Sequence, residues 1–350
     1  LDVVLMTHPR DERDLVRLLH WTEKMSSGER RAVAHHMRPV LGEVISADRL
    51  QVGLLFLPLF ADEIMHPSTR RRCRDLLKRE GMSSLRDVGA GVVCLGGLLG
   101  GLSGYGRHLE DEAVEIGAIV TTGHALTAIS VAKTLARATR ELDRSLAGRE
   151  LAVLGVGSVG WGFARLLCRE AVVPEKVTLV DTPRRRRHLE QHAEALRQRG
   201  RFEVATELTS VDGWLADDSA CYRSPFVISA VSTPNVIDME RVAPGTILVD
   251  DSQPYCWSRE AAWRRCEARL DVAPCEAGLI DVGALGYRAH FPFDFADHDP
   301  ARGSQTAWCC LTEGLLGALH PDLPPTRGEP DGPHLDAFKR AFEAEALAPA

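Results

Sequence analysis

Residues 148–181, GRELAVLGVGSVGWGFARLLCREAVVPEKVTLVD, constrain this chain more than any other stretch, because a strand, a turn, a helix and a second strand fit within one βαβ length. The apolar run 151–154 leads into Gly155, Gly157 and Gly160 at G-x-G-x-x-G spacing, residues 161–169 continue with helical apolar periodicity, and 177–180 form a buried strand closed by Asp181. Each glycine has a physical task. Gly155 permits the tight turn, Gly157 lets backbone amides approach a pyrophosphate, and Gly160 lets the helix pack closely on the strand. Ser158 and Val159 open the helix, whose N-terminal potential favours phosphate. In this context the motif predicts a dinucleotide site.

Apolar runs at 226–231 and 246–249 read as two further strands. The first delivers Ser232 and Thr233 to the carboxyl edge where a nicotinamide would lie, and the second delivers Asp250, Asp251 and Ser252 to the same edge. The alternation predicts an α/β fold with a Rossmann-like doubly wound parallel sheet. Asp181 stands where an acid grips the 2′-hydroxyl of NAD, whereas Arg184 and Arg185, opening a basic helix over 182–200, would hold the 2′-phosphate of NADP. The residues alone leave both cofactors open.

Upstream, patterning gives a strand at 2–6, helices at 11–24 and 28–37, and strands at 40–45 and 51–57. A helix capped by Ser68 or Thr69 and ending at Gly81 carries Arg70, Arg71, Arg72, Arg74, Lys78 and Arg79, either as a solvated face or as a docking patch for an acidic partner. After a strand at 92–95, Gly96, Gly97, Gly100 and Gly101 give a mobile or close-packed loop against which a substrate could lie. A strand then ends in Thr121 and Thr122, and a long helix starts near His124. Thr121, Thr122 and Gly123 thus form a helix mouth whose free amides and hydroxyls suit an oxygen atom. Lys133, inside this helix, reads as solvated or catalytic.

These elements predict an N-terminal α/β substrate and partner domain (1–123), a dinucleotide-binding domain (124–302) and C-terminal helices (303–350), the last including a proline-rich linker at 321–333 and a packing helix ending near Leu347. With 49 acidic against 42 basic residues the chain has no overall bias toward nucleic acid. Nine cysteines without a C-x-x-C pair predict reduced thiols in the cytoplasm, and no metal-ligand set stands out. The apolar run 52–60, broken by Pro58, is too short to span a bilayer. The sequence starts at Leu1 rather than methionine, which leaves room for residues upstream. Cys309 and Cys310 occupy adjacent helical positions about 100° apart, so at most one faces a pocket, and the residues alone do not choose between them.

In order, G-E-V-I at 42–45, F-L-P at 56–58, L-G-G at 95–97, T-T-G at 121–123 with Thr127 and Ala128, the glycine turn at 155–160 and C-L-T-E at 310–313 resemble the long-chain acyl-(acyl-carrier-protein) reductases of cyanobacteria. The resemblance covers most of the chain. It implies NADPH-dependent reduction of a carrier-bound fatty acyl thioester to an aldehyde, with Cys310, followed three positions later by Glu313, as the thiol that takes the acyl group from phosphopantetheine. On that frame Thr121 to Gly123 supply donors to the oxyanion, with Thr122 in the catalytic set, His124 is a proton donor or thiolate partner, and Gly96 and Gly97 line the acyl chain. The chain departs from the family at GVGSVG in place of G-A-T-G-D-I-G, at His124 in place of asparagine, and at Asp181 in place of an arginine-bearing strand end. Two other readings stand beside it: a shikimate-dehydrogenase-like enzyme acting on a small hydroxy or amino acid with Lys133 as acid or base, and a nucleotide-binding partner protein without turnover.

Overall fold

The computed structural model describes residues 1–47, 49–282 and 306–350. Its first sheet contains β1 (Val3–Thr7), β2 (Val40–Ala47), β3 (Leu50–Phe56), β4 (Val92–Leu95) and β5 (Ile119–Thr121), in the order β2-β3-β1-β4-β5. β1 lies between β3 and β4, parallel to both, and Val3 to Met6 are fully buried, as expected of a near-continuous apolar run in a parallel sheet. Only the β2–β3 pair is antiparallel, with a bulge between Leu41 and Glu43.

The second sheet contains β6 (Glu150–Leu154), β7 (Lys176–Asp181), β8 (Glu203–Leu208), β9 (Phe226–Ser229), β10 (Thr246–Asp250) and β11 (Val272–Glu276), all parallel. Its order is β11-β10-β9-β6-β7-β8. The chain therefore starts in the middle, runs outward to one side, then crosses back, and the reversal between β6 and β9 opens a crevice at the carboxyl ends of these strands. This is a Rossmann-like doubly wound sheet. A small antiparallel sheet of β12 (Leu279–Asp281), β13 (Thr306–Trp308) and β14 (Ala348–Pro349) completes the described strands.

The helix His124–Glu141 binds the two large sheets together because it is apolar on two sides. Ala125, Leu126, Ala128 and Ile129 pack with the first sheet and the C-terminal helices, whereas Val131, Leu135 and Ala138 pack with the second sheet. The helix Cys309–Leu319 inserts Leu311, Leu315 and Leu316 into the first of these cores. Its approach is so close that a Cβ on Gly314 would lie 2.0 Å from the Cys94 sulfur. Helix Gly332–Ala344 buries Leu335, Phe338 and Phe342 alongside.

Several local expectations change. The arginine-rich helix starts at Pro67, capped by His66, and does not stop at Gly81: a wider π turn at Leu77–Gly81 leads straight into Met82–Val88. Gly81 serves packing, since a Cβ there would be 3.1 Å from Leu57. The glycine-rich segment after β4 forms a short helix at Leu99–Leu102 in which Leu99, Gly100 and Leu102 are buried, while Gly97 and Gly101 are exposed. The C-terminal helix begins at Cys309 after β13, and the boundary expected at 302/303 lies outside the described residues. Residues 321–333 are not a free linker, because Thr326, Gly328 and Glu329 hydrogen-bond to the rest of the protein. Among the described residues no helix is long and apolar enough to cross a membrane.

Candidate active site

A cavity of about 470 Å³ runs along the carboxyl ends of both large sheets and joins the glycine turn to the start of the Cys309–Leu319 helix. At one end, Gly155 has φ +85°, a conformation side chains rarely adopt, and a Cβ there would lie 2.4 Å from the Ala230 carbonyl oxygen. Gly160 packs on the turn itself, where a Cβ would meet the Gly155 oxygen at 2.1 Å. Gly157 caps the helix Ser158–Leu167 and faces open space, with only the Tyr105 hydroxyl, at 3.3 Å, near the place of a missing Cβ. A bare backbone at a helix N-terminus, open on its cavity side, fits the pyrophosphate of a dinucleotide.

Asp181 and Arg185 are partners rather than rivals. The Asp181 carboxylate accepts from the Val156 amide (3.1 Å) and the Thr182 amide (2.7 Å), and lies 3.3 Å from the Arg185 guanidinium. Arg185 in turn donates to the Tyr105 hydroxyl (3.1 Å) and the Val156 carbonyl (3.2 Å), so it braces the glycine turn. Arg184 is exposed. The Ser158 hydroxyl donates to the Gly328 carbonyl (2.9 Å) and is therefore committed to residues 321–333 rather than free for a phosphate. Val159, Ser232 and Thr233 line the cavity.

At the other end, Cys310 sits in the first turn of its helix, against the helix mouth: a Cβ on Gly123 would lie 2.7 Å from the Cys310 Cβ. Cys309 and Cys310 both line the cavity, against the expectation that at most one would, but Cys309 is only 2% exposed and its thiol donates to the Ala277 carbonyl, so Cys310 is the more open of the two. Burial pushes the Cys310 thiol up to about 12, the Leu311 amide pulls it back, and Asp251 and Glu313 push it further up. The resting group is a neutral thiol.

The expected oxyanion donors are already taken. Glu313, 1% exposed, accepts from the Gly123 amide (3.2 Å), the Leu126 amide (3.0 Å) and the Thr121 hydroxyl. The Thr122 amide and hydroxyl both donate to the Thr326 carbonyl (3.1 and 3.2 Å). The helix mouth is thus a carboxylate cap, and Thr121 and Gly123 lie outside the cavity lining among the described residues, as do Gly96 and Gly160. Gly96 is tucked under β1, its amide on the Met6 carbonyl, while Gly97 reaches the cavity beside His8.

His124 lines the cavity with its ring edge-on to Tyr105, centroids 5.6 Å apart. Burial lowers its pKa to about 4, and Nδ1 has no partner among the described residues. A neutral imidazole results, beside the cavity in which His124 was expected as a proton donor or thiolate partner. Lys133 is bound to Glu343 (2.9 Å) above the Phe342 ring and is not at the cavity.

Several polar cavity residues carry no sequence signal of a role, among them His8, Arg10, Asp14, Tyr255 and Glu276 as well as Tyr105 and Asp251. Tyr105 adopts φ +60° and places its hydroxyl at Gly157 and Arg185; its neighbours Gly104 and Gly106 were the only local hint. Asp251 was placed at the right edge but given no role.

Fold and site define an α/β protein whose doubly wound sheet fits a nicotinamide dinucleotide beside a buried thiol. No protein-family model matches the chain, and no curated protein matches it. Among solved structures it is similar to L-tryptophan dehydrogenase from Nostoc punctiforme (12% identity over 99% of this chain and 80% of that one, TM-score 0.42). It is also similar to shikimate 5-dehydrogenase from Listeria monocytogenes in complex with shikimate and NAD (10%, 79% and 86%, TM-score 0.36). A third is the ligand-free 5-ketofructose reductase of Gluconobacter sp. strain CHM43 (12%, 79% and 87%, TM-score 0.36). At these scores the assignment of the fold rests on strand order and the glycine turn, not on the likenesses.

Proposed function

We propose that this chain is an NAD(P)H-dependent oxidoreductase that converts a carrier-bound acyl thioester to an aldehyde through an acyl group on Cys310. The observation that carries this reading is the single cavity shared by the Cys310 thiol and the glycine turn. A thiol is the right nucleophile, because its acyl derivative remains a thioester and keeps a reactive carbonyl. Cys310 adds to the substrate carbonyl, the phosphopantetheine sulfur departs, and the acyl group stays on the enzyme. With the T-T-G donors committed to Glu313 and Thr326, first-turn amides of the Cys309–Leu319 helix, among them that of Leu311, are left to stabilise the oxyanion. A bound nicotinamide supplies the hydride that takes the acyl carbon to the aldehyde level.

An acidic carrier protein fits the outer face of the Pro67–Leu76 helix, where Arg71 and Arg72 are exposed, while Arg70 reaches inward to the Gly101 carbonyl (2.9 Å) and lines the cavity. The test is an acyl adduct on Cys310, formed without cofactor and found by mass spectrometry. A second reading, a dehydrogenase of a small hydroxy or amino acid, is favoured by the Arg10–Asp14 ion pair (2.7 Å) that also lines the cavity. It keeps most activity in Cys310→Ala, whereas the first loses it.

For the cofactor, Arg184 is the 2′-phosphate ligand and Arg185 the brace of the turn. Arg184→Ala is expected to raise the Kd for NADPH about tenfold and leave NADH unchanged, and Arg185→Ala to weaken both alike. Titrations of cofactor fluorescence read this directly, and an equal effect of Arg184→Ala on the two cofactors contradicts the assignment.

A further inference from the structure

Tyr105 lies between β4 and β5 of the first sheet, yet its hydroxyl is 3.3 Å from the place of the missing Cβ of Gly157, at the N-terminus of the helix Ser158–Leu167 in the second. Its backbone is strained to put it there, at φ +60° in the left-handed region that favours glycine. The neighbouring chain ties it down. The Tyr105 amide donates to the Gly100 carbonyl (2.7 Å), its carbonyl accepts from the Gly328 amide (2.8 Å), and the Gly328 carbonyl is held by the Ser158 hydroxyl (2.9 Å). A strained backbone fixed in this way points to a task for its side chain. The phenol oxygen accepts from Arg185 Nη1 (3.1 Å), and its own hydrogen has no acceptor among the described residues. That hydrogen is left for a ligand in the cavity, which Tyr105 lines together with Gly155, Gly157, Ser158 and Val159. Beside it stand the first-turn amides of the Ser158–Leu167 helix, which have no partner within the helix. Donors therefore meet from two sides where Gly157 leaves room, and a group with several acceptor oxygens and negative charge answers all of them.

Resting on the dinucleotide reading of the glycine turn, we propose that Tyr105 is a pyrophosphate ligand of the cofactor, its hydroxyl donating to a phosphate oxygen while Arg185 holds the phenol in place. Arg185 stays a brace, acting through Tyr105 and the turn; Tyr105 touches the phosphate. The cofactor is then gripped from both large sheets, by backbone amides of the second and by a side chain that the first delivers. The contact does not distinguish NADH from NADPH, because the pyrophosphate is common to both.

The test is calorimetric titration with ADP-ribose, which carries the pyrophosphate and no nicotinamide, so that binding is read without turnover. Tyr105→Phe keeps the ring and removes only the hydroxyl. It is expected to raise the Kd for ADP-ribose about tenfold, the size of one hydrogen bond to a charged group. Because the phenol also holds Arg185, the same substitution is made in the Arg185→Ala background. A hydroxyl that touches the phosphate still costs most of that tenfold there, whereas one that only orients Arg185 has no effect left to lose. Unchanged or tighter binding by Tyr105→Phe, or a loss that vanishes in Arg185→Ala, overturns the contact and leaves the glycine turn as the dinucleotide site. A native chain that does not bind ADP-ribose overturns both.

Discussion

Glu313→Ala is expected to lower the unfolding free energy by about 4 kcal/mol, among the largest single-residue effects in the chain. The Glu313 carboxylate holds two amides at the start of the His124–Glu141 helix and the Thr121 hydroxyl, and the N-cap of that helix, Gly123, has no side chain to replace it. Truncation leaves three donors without an acceptor in a dry interior, each worth about 1–3 kcal/mol, and a void beside Cys310. Burial pushes the carboxyl's pKa up while these hydrogen bonds pull it back, so the group is retained for its geometry. Glu313→Gln keeps the carbonyl but turns an NH₂ toward donors, and roughly half the loss is expected. Urea unfolding measures both, and a loss below about 1 kcal/mol for the alanine variant contradicts the cap.

Gly155→Ala is expected to weaken NADPH and NADH binding at least about 100-fold, or about 2.7 kcal/mol. A methyl group at φ +85° is strained by itself, and here it meets the Ala230 carbonyl at 2.4 Å, so the turn must move and carry its amides away from the phosphates. Gly148 is the control. It also has positive φ, +66°, but nothing lies within 4 Å of its missing Cβ, so Gly148→Ala should cost some stability and leave cofactor affinity alone. Isothermal titration of the two variants separates the turn's geometry from general destabilisation.

Much of the second sheet was legible because parallel strands buried on both faces leave unbroken apolar runs such as 151–154 and 177–180, and because the glycine spacing is tied to a turn of fixed geometry. β1, β3 and β4 of the first sheet were legible for the same reason, whereas β2 is an antiparallel edge strand with Leu41 and Val44 exposed. What the sequence could not convey was which polar groups are already occupied. Thr121, Thr122 and Gly123 have the right chemistry for an oxyanion site, but their partners, Glu313 and Thr326, lie about 190 to 205 residues away and carry no local signal. Asp181 and Arg185 looked like competing cofactor signals because sequence gives their types and not their mutual ion pair. The prolines near 321–333 imply a linker, yet it is backbone carbonyls there, silent in any sequence, that hold Thr122 and Ser158. Tyr105 depends on a positive φ that only tertiary packing imposes on a non-glycine residue.

Mass spectrometry of the native chain after mixing with an acyl thioester, in the absence of any nicotinamide, decides most directly whether Cys310 is the acyl carrier. The expected result is one added acyl group, mapped by peptide analysis to Cys310, present in Cys309→Ala and absent in Cys310→Ala. An acyl group that persists in Cys310→Ala, or a native chain that acquires none, contradicts it.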